Sequence, residues 1–268
     1  MEITDILIPA AILAALGAFF GIALAVASRV FAVKVDERVP QVREALPGAN
    51  CGGCGYSGCD ALAAAIVEGR APCGACPVGG AEAAAKIATV MGVIAEKQQR
   101  MRAQVMCAGN NENALKKYTY EGVPDCVSAT RLAGGDKLCA YGCLGLGSCV
   151  SACKFGALKI ENGVATVDPD RCGGCGSCVS ACPKGLIRLI PYDAPYTVVC
   201  ASREKGGVVN KQCKVGCIGC SACQKVCEAG AITVNGFLAE IDPAKCVGCG
   251  ACAERCVRHI IVPTGTAK

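Results

Sequence analysis

Long apolar stretches alternate with short polar punctuation along this chain, and the first stretch is the longest. Residues Ile6 to Ala27 include no charged side chain. As a helix this run reaches roughly 33 Å, enough to cross a bilayer. Glu2 and Asp5 precede it, and Arg29, Lys34, Arg38 and Arg43 follow it. An acidic lead is the reverse of a secretory n-region, although Ala23-Leu24-Ala25 has the small residues of a cleavage site. Basic residues after the span put the rest of the chain in the cytoplasm. Gly17 and Gly21 form a GxxxG on the helix. Such small residues admit a second helix, or simply reflect how common Gly and Ala are here.

Beyond the span the pattern predicts short elements. Residues 29–47 mix charges with Pro40 and Pro47 and read as a connector. Asp60 to Gly69 reads as a helix with Asp60 as its cap, and Ala81 to Met91 as a second helix stopped at Gly92. Asp125 caps a third, ended by Gly134 and Gly135. Two segments of equal length, Gly156–Cys172 and Gly230–Cys246, then read as strand, Asn-Gly turn and strand, with Asp-Pro before the closing cysteine. Their turns fall one residue apart, at Asn162-Gly163 and Asn235-Gly236. Residues 139–190 and 213–262 share one plan, which points to a tandem duplication. The expected class is α+β. Its divisions are an anchor (1–28), the connector (29–47), a small helical cysteine domain (48–92), an intervening segment (93–136), a first repeat (137–192), a linker (193–212) and a second repeat (213–268).

Composition adds the chemistry. The 268 residues include 25 cysteines, one histidine and no tryptophan. That density in a short secreted chain would mean disulfides, but this chain is long, its count is odd and its compartment is reducing. Cys172, Cys175, Cys178 and Cys182 read C-x2-C-x2-C-x3-C, followed by Pro183. Cys217, Cys220, Cys223 and Cys227 repeat the spacing, as do Cys246, Cys249, Cys252 and Cys256. Three thiolates at this spacing wrap one compact cubane, and the fourth reaches a neighbouring one. Structural zinc prefers paired CxxC motifs or histidines, and the lone His259 reads as a packing or surface residue.

This pattern resembles the bacterial two-cluster ferredoxin. The resemblance implies one [4Fe-4S] cluster on Cys217, Cys220, Cys223 and Cys256, and its mate on Cys246, Cys249, Cys252 and Cys227. In the first repeat it implies Cys172, Cys175, Cys178 and Cys153, with a mate on Cys139, Cys143, Cys149 and Cys182. There the C-x3-C-x5-C spacing of Cys139, Cys143 and Cys149 departs from the compact form. The first domain has its own pattern, Cys51-x2-Cys54-x4-Cys59-x16-Cys76, which suits one more cubane and leaves Cys73 spare. Cys107 and Cys126 precede the first repeat and Cys200 and Cys213 follow it. These two pairs either meet around a sixth cluster or are inert buried thiols.

An apolar span, then CGGCGYSGCDALAAAIVEG with CPVGG, then ferredoxin repeats is a specific order. It resembles the B subunit of the Rnf complex, the ion-translocating ferredoxin:NAD oxidoreductase, in its long form. The resemblance implies a single-pass protein of the cell inner (cytoplasmic) membrane with its cluster domains in the cytoplasm. It implies electrons taken from reduced ferredoxin and relayed to flavin- and NAD-binding partner subunits, coupled to sodium or proton export. The chain itself shows no GxGxxG after a strand, no P-loop and no catalytic triad, so only one-electron chemistry is expected of it. Two other roles share the motifs: reducing an iron–sulfur redox sensor, and a membrane-tethered relay for a hydrogenase or dehydrogenase. Lys205, Lys211, Lys214, Lys225, Lys245, Arg255 and Arg258 crowd the last repeat and suit an acidic ferredoxin. No basic stripe with interleaved aromatics suggests nucleic acid. Each cubane with four thiolates carries about two negative charges, so six of them turn the formal +5 into roughly −7.

Overall fold

The computed structural model describes residues 3–30, 36–95 and 98–264, with side chains from residue 11 onward. The chain forms two compact units, residues 1–37 and 38–268. The first is helix α1 (Ile3–Val30). Its stretch Ala11–Val30 has a mean hydropathy of 2.3 and buries none of its side chains within the chain. Among the described residues, one helix is therefore long and apolar enough to cross a membrane. Gly17 and Gly21 face open space.

The second unit starts inside the expected connector. Helix α2 (Arg38–Ala45) tolerates Pro40 because the first turn has no partner for that missing N–H. Val42 and Leu46 are buried against α3 (Cys59–Val67) and α4 (Gly80–Met91), around Leu62, Ile66 and Ile87. The alanines Ala63 and Ala65 let these short helices approach closely. Asp60 is not the cap of α3. Gly58 takes that position, and Asn50 Oδ1 accepts the Cys59 N–H at 2.8 Å. Asp60 lies in the first turn and pairs with Arg43 at 2.8 Å. Helix α4 ends on Gly92 in the left-handed region, as its sequence predicts.

Two similar folds follow. The first runs β1 (Met101–Val105), α5 (Cys126–Arg131), α6 (Ser148–Ser151), β2 (Leu158–Glu161), β3 (Val164–Val167), α7 (Ser177–Ala181) and β4 (Ile187–Pro191). The second runs β5 (Tyr196–Val198), α8 (Gly206–Gln212), α9 (Ala222–Lys225), β6 (Ile232–Asn235), β7 (Leu238–Ile241), α10 (Ala251–Arg255) and β8 (Ile261–Pro263). Among the described residues every sheet is two-stranded: hairpins β2–β3 and β6–β7, and outer pairs β1–β4 and β5–β8. Both outer pairs are antiparallel, with Val105 opposite Ile187 and Val198 opposite Ile261. Each module therefore starts well before its first cysteine run. Strand β1 lies in the expected intervening segment, and β5 lies in the expected linker.

One of the two hairpin turns also differs from expectation. Asn162 and Gly163 both have positive φ, as a two-residue primed turn requires. In the second hairpin the turn is Gly236-Phe237, not Asn235-Gly236, because Asn235 pairs with Leu238. The two turns thus occupy equivalent places. Between outer strand and cysteine run, each module carries an insertion, and the two insertions meet. Ala114 bridges Cys213, Leu115 N–H donates to Gln212 O at 2.9 Å, and Lys214 N–H donates to Asn113 O at 2.8 Å. Arg102 on β1 adds a bond to Thr264 O, just past β8, at 3.0 Å.

Candidate metal centres

In the second module the cysteine sets are spatially distinct. Cys217, Cys220, Cys223 and Cys256 line one cavity walled by Ile218, Val234 and Ile260. Cys227, Cys246, Cys249 and Cys252 line another, walled by Val226, Ile232 and Val247. In the first module, burial pushes the Cys178 thiol up to about 11, and Cys172, Cys175 and Cys153 lie near enough to raise it further. In the small domain, burial raises Cys76, with Cys59 and Cys51 adding to the effect. Cys54 and Cys73 pack against the same core.

These surroundings fit a cubane. Among the described residues, no three Cys, His, Asp or Glu side chains close in tightly enough to hold a single ion. A cluster holds its thiolates farther apart than one ion does. Backbone N–H groups aim at the sulfurs: Ala103 at Cys172 and Ala157 at Cys153 (both 3.3 Å), and Leu186 at Cys182 (3.4 Å). Such bonds stabilise anionic sulfur and tune its potential. The loops are pressed onto the hairpin turns. A Cβ on Gly145 would lie 2.5 Å from Gly163 O, and one on Gly219 would lie 2.9 Å from Phe237 Cα. With both glycines also at positive φ, no other residue suits these places.

The irregular set of the first module is not grouped as its sequence suggested. Burial pushes the Cys149 thiol up to about 12, with Cys143, Cys126 and Cys182 near enough to raise it further. Cys139 is elsewhere. It lines a cavity with Cys107, Cys200 and Cys213. Cys126 thus lies beside Cys149, and Cys139 beside Cys107, Cys200 and Cys213. The cause is local. Asp125 caps α5 by accepting the Val127 and Ser128 N–H groups, and also accepts from Ser148 Oγ at 3.0 Å. Ser148 Oγ in turn accepts the Cys126 N–H at 2.8 Å. The start of α5 is therefore tied to the start of α6, beside Cys149. The hydrogen bonds from Ser128 hold the Asp125 carboxyl well below the usual carboxylate range.

Buried cations accompany the thiols. Lys137 is 1% exposed and donates to Gly109 O at 2.6 Å and Gly163 O at 3.1 Å. Its charge opposes the effect of burial at Cys143 and Cys213. Arg258, half-buried, donates to Cys213 O at 2.6 Å and Gly216 O at 3.1 Å, so it is not a free docking charge. Lys205, Lys211, Lys214, Lys225, Lys245 and Arg255 are exposed. His259 is exposed too.

The small domain abuts the first module. A Cβ on Gly53 would lie 2.5 Å from Cys175 O, and Lys154 Nζ donates to Asn50 O at 2.7 Å. Of the 25 cysteines only Cys220 and Cys249 are exposed, both in the second module. Val247 and Val257 beside them are exposed as well.

Comparison with known proteins agrees with these features. The family model of an Fe-S cluster matches residues 46–78, that of a 4Fe-4S binding domain matches 165–188, and that of a 4Fe-4S dicluster domain matches 216–260. The chain is 47% identical to the B subunit of an ion-translocating oxidoreductase complex of Methanosarcina acetivorans, over 88% of this chain and 89% of that protein. It is 48% identical to the B subunit of the Na(+)-translocating ferredoxin:NAD(+) oxidoreductase complex of Acetobacterium woodii, over 88% and 72%. It is 41% identical to the proton-translocating counterpart of Clostridium ljungdahlii, over 85% and 81%. With its apolar N-terminal helix and its ferredoxin-type α+β domains, the chain belongs to the family of B subunits of the ion-translocating (Rnf) oxidoreductase complexes.

Proposed function

We propose that this chain takes electrons from reduced ferredoxin at its second module and relays them toward flavin- and NAD-binding partner subunits. As a family member it is an electron-transfer subunit of an ion-translocating oxidoreductase, associated with the membrane. Bound [4Fe-4S] clusters supply one-electron chemistry. The protein's own residues hold the thiolates, exclude water and fix where a partner docks. One observation carries the entry point: the cysteines are buried or half-buried except Cys220 and Cys249. Electron transfer weakens steeply with distance, so a partner is served best where ligands reach the surface. Exposed Val247 and Val257 offer apolar contact there, and the exposed lysines of this module supply a charge suited to an acidic ferredoxin. Helix α1 anchors the chain in the cytoplasmic membrane, with the cluster domains in the cytoplasm.

The test uses the purified membrane complex, reduced ferredoxin and NAD. Reversing Lys211, Lys214 and Lys225 to Glu is expected to slow ferredoxin oxidation about tenfold at low salt and to flatten its salt dependence. Unchanged rates and salt dependence would place docking elsewhere.

A further inference from the structure

We infer that Cys107, Cys139, Cys200 and Cys213 hold a [4Fe-4S] cluster at the seam between the two ferredoxin modules, and that Cys126 instead completes the set of Cys143, Cys149 and Cys182. The inference rests on the cluster-carrying reading of the chain and adds to it a site made jointly by both repeats.

The argument from the repeat is direct. Cys107 stands two residues past β1, and Cys200 two residues past β5. Cys139 lies in Lys137-Leu-Cys-Ala-Tyr-Gly-Cys143, and Cys213 in Lys211-Gln-Cys-Lys-Val-Gly-Cys217, a shared K-x-C-x-x-G-C. Each module therefore contributes the same two positions, and the site has approximate two-fold symmetry. The backbone repeats it: Cys143 N–H points at Cys107 Sγ (3.5 Å), and Cys217 N–H points at Cys200 Sγ (3.3 Å). Cys126 has no counterpart in the second module, so it does not fit this scheme.

The rest of the first run explains Cys126. Gly142-Cys-Leu-Gly-Leu-Gly-Ser-Cys-Val-Ser-Ala-Cys153 aligns without gaps on Arg171-Cys-Gly-Gly-Cys-Gly-Ser-Cys-Val-Ser-Ala-Cys182. Cys143, Cys149 and Cys153 match Cys172, Cys178 and Cys182, and Leu146 stands where Cys175 stands. The run lacks its second ligand, and the Asp125–Ser148 tie delivers Cys126 to Cys149.

Two further observations point to an anionic group at the seam. Gly109 leaves room between the sulfurs. A Cβ there would stand 3.4 Å from Cys213 Sγ and 3.6 Å from Cys107 Sγ. Lys137 buries its ammonium among carbonyls, and no carboxylate is among its hydrogen-bond or ion-pair partners in the described residues. A buried cation without an anion is costly, and a dianionic cluster resolves it. The seam site also joins the modules, because Cys107 contacts the first run and Cys200 contacts the second.

The test is iron content of the full-length chain, reconstituted anaerobically in detergent. Replacing Cys107, Cys200 and Cys213 by Ala is expected to lower iron from roughly 24 to roughly 20 atoms per chain. In that background Cys139→Ala should cost nothing more. Cys126→Ala should cost up to about four further atoms or leave the EPR signal of a [3Fe-4S] cluster. Undiminished iron in the triple variant would overturn the seam site, and loss with Cys139→Ala but not Cys126→Ala would overturn the exchange. If the triple variant does not fold, single serine variants decide. Cys126→Ser must alter the same Mössbauer component as Cys143→Ser, and Cys139→Ser the same one as Cys200→Ser. A component shared by Cys126→Ser and Cys200→Ser would refute the assignment. Iron content does not depend on ferredoxin or NAD, so an error in the electron route would leave this result untouched.

Discussion

Lys137 offers a quantitative test of how the protein sets cluster potentials. Its ammonium is buried, bonded to two carbonyls, and electrostatically linked to Cys143 and Cys213, which belong to different cysteine sets. Lys137→Gln removes the charge while keeping a donor for Gly109 and Gly163. A unit charge about 8 Å from a cluster, at an effective dielectric of about 20, contributes ~2 kcal/mol. For a one-electron couple that is ~90 mV. Reduction adds negative charge, so loss of the cation disfavours the reduced form and lowers the potential. Salt should screen this little, because the group is dry. Anaerobic titration followed by EPR should show the two neighbouring clusters falling by ~40–90 mV, with the others unmoved. Lys137→Arg keeps the charge and should restore most of the loss. Shifts below ~20 mV, shifts upward, or equal shifts at all clusters would refute the reasoning.

Three other outcomes follow from the same contacts. Gly53→Val forces a Cβ into the backbone of Cys175, so it should leave iron content intact but slow electron exchange between the small domain and the first module about tenfold, measured by freeze-quench EPR. Asp125→Ala removes the cap of α5 and the acceptor that orients Ser148 Oγ toward Cys126 N–H, so it should lower the melting temperature and alter only the cluster signal that includes Cys149, while Asp125→Asn retains much of both. Burial pushes Cys149 up to about 12 and Cys178, Cys200 and Cys223 to about 11. The neutral thiol is therefore favoured until pH rises toward those values. Loading iron at neutral pH should release one proton per such ligand and weaken as pH falls, which a pH-stat reconstitution can count; fewer protons would mean preformed thiolates.

The regular cysteine runs, the apolar span and the hairpins were legible because their signals are local. A C-x2-C-x2-C-x3-C run states its chemistry within a dozen residues, and its glycines state the turns around it. The outer strands were not legible. Strand β5 is three residues long, and the partners of β1 and β5 lie far along the chain, so neither shows a pattern of its own. Helix α2 was obscured by Pro40 and its charges, although Val42 and Leu46 supply its buried face. The inferred exchange of Cys126 and Cys139 hinges on one residue. Leu146 in place of a cysteine breaks the familiar spacing, so spacing alone draws Cys139 into the run. An ungapped comparison of residues 142–153 with 171–182 supports pairing Cys126 with that run.

The clasp between the two insertions has a consequence for how this protein is made. Asn113, Ala114 and Leu115 leave the ribosome long before Gln212, Cys213 and Lys214, which they grip. Until that late stretch emerges, the 113–115 edge of the first repeat lacks its partner, and the space beside Gly109 stays half-walled. A chain cut after the first repeat would therefore not be a smaller working version of the whole. The two repeats are thereby mutually dependent, and the seam is fully walled only once both have been made.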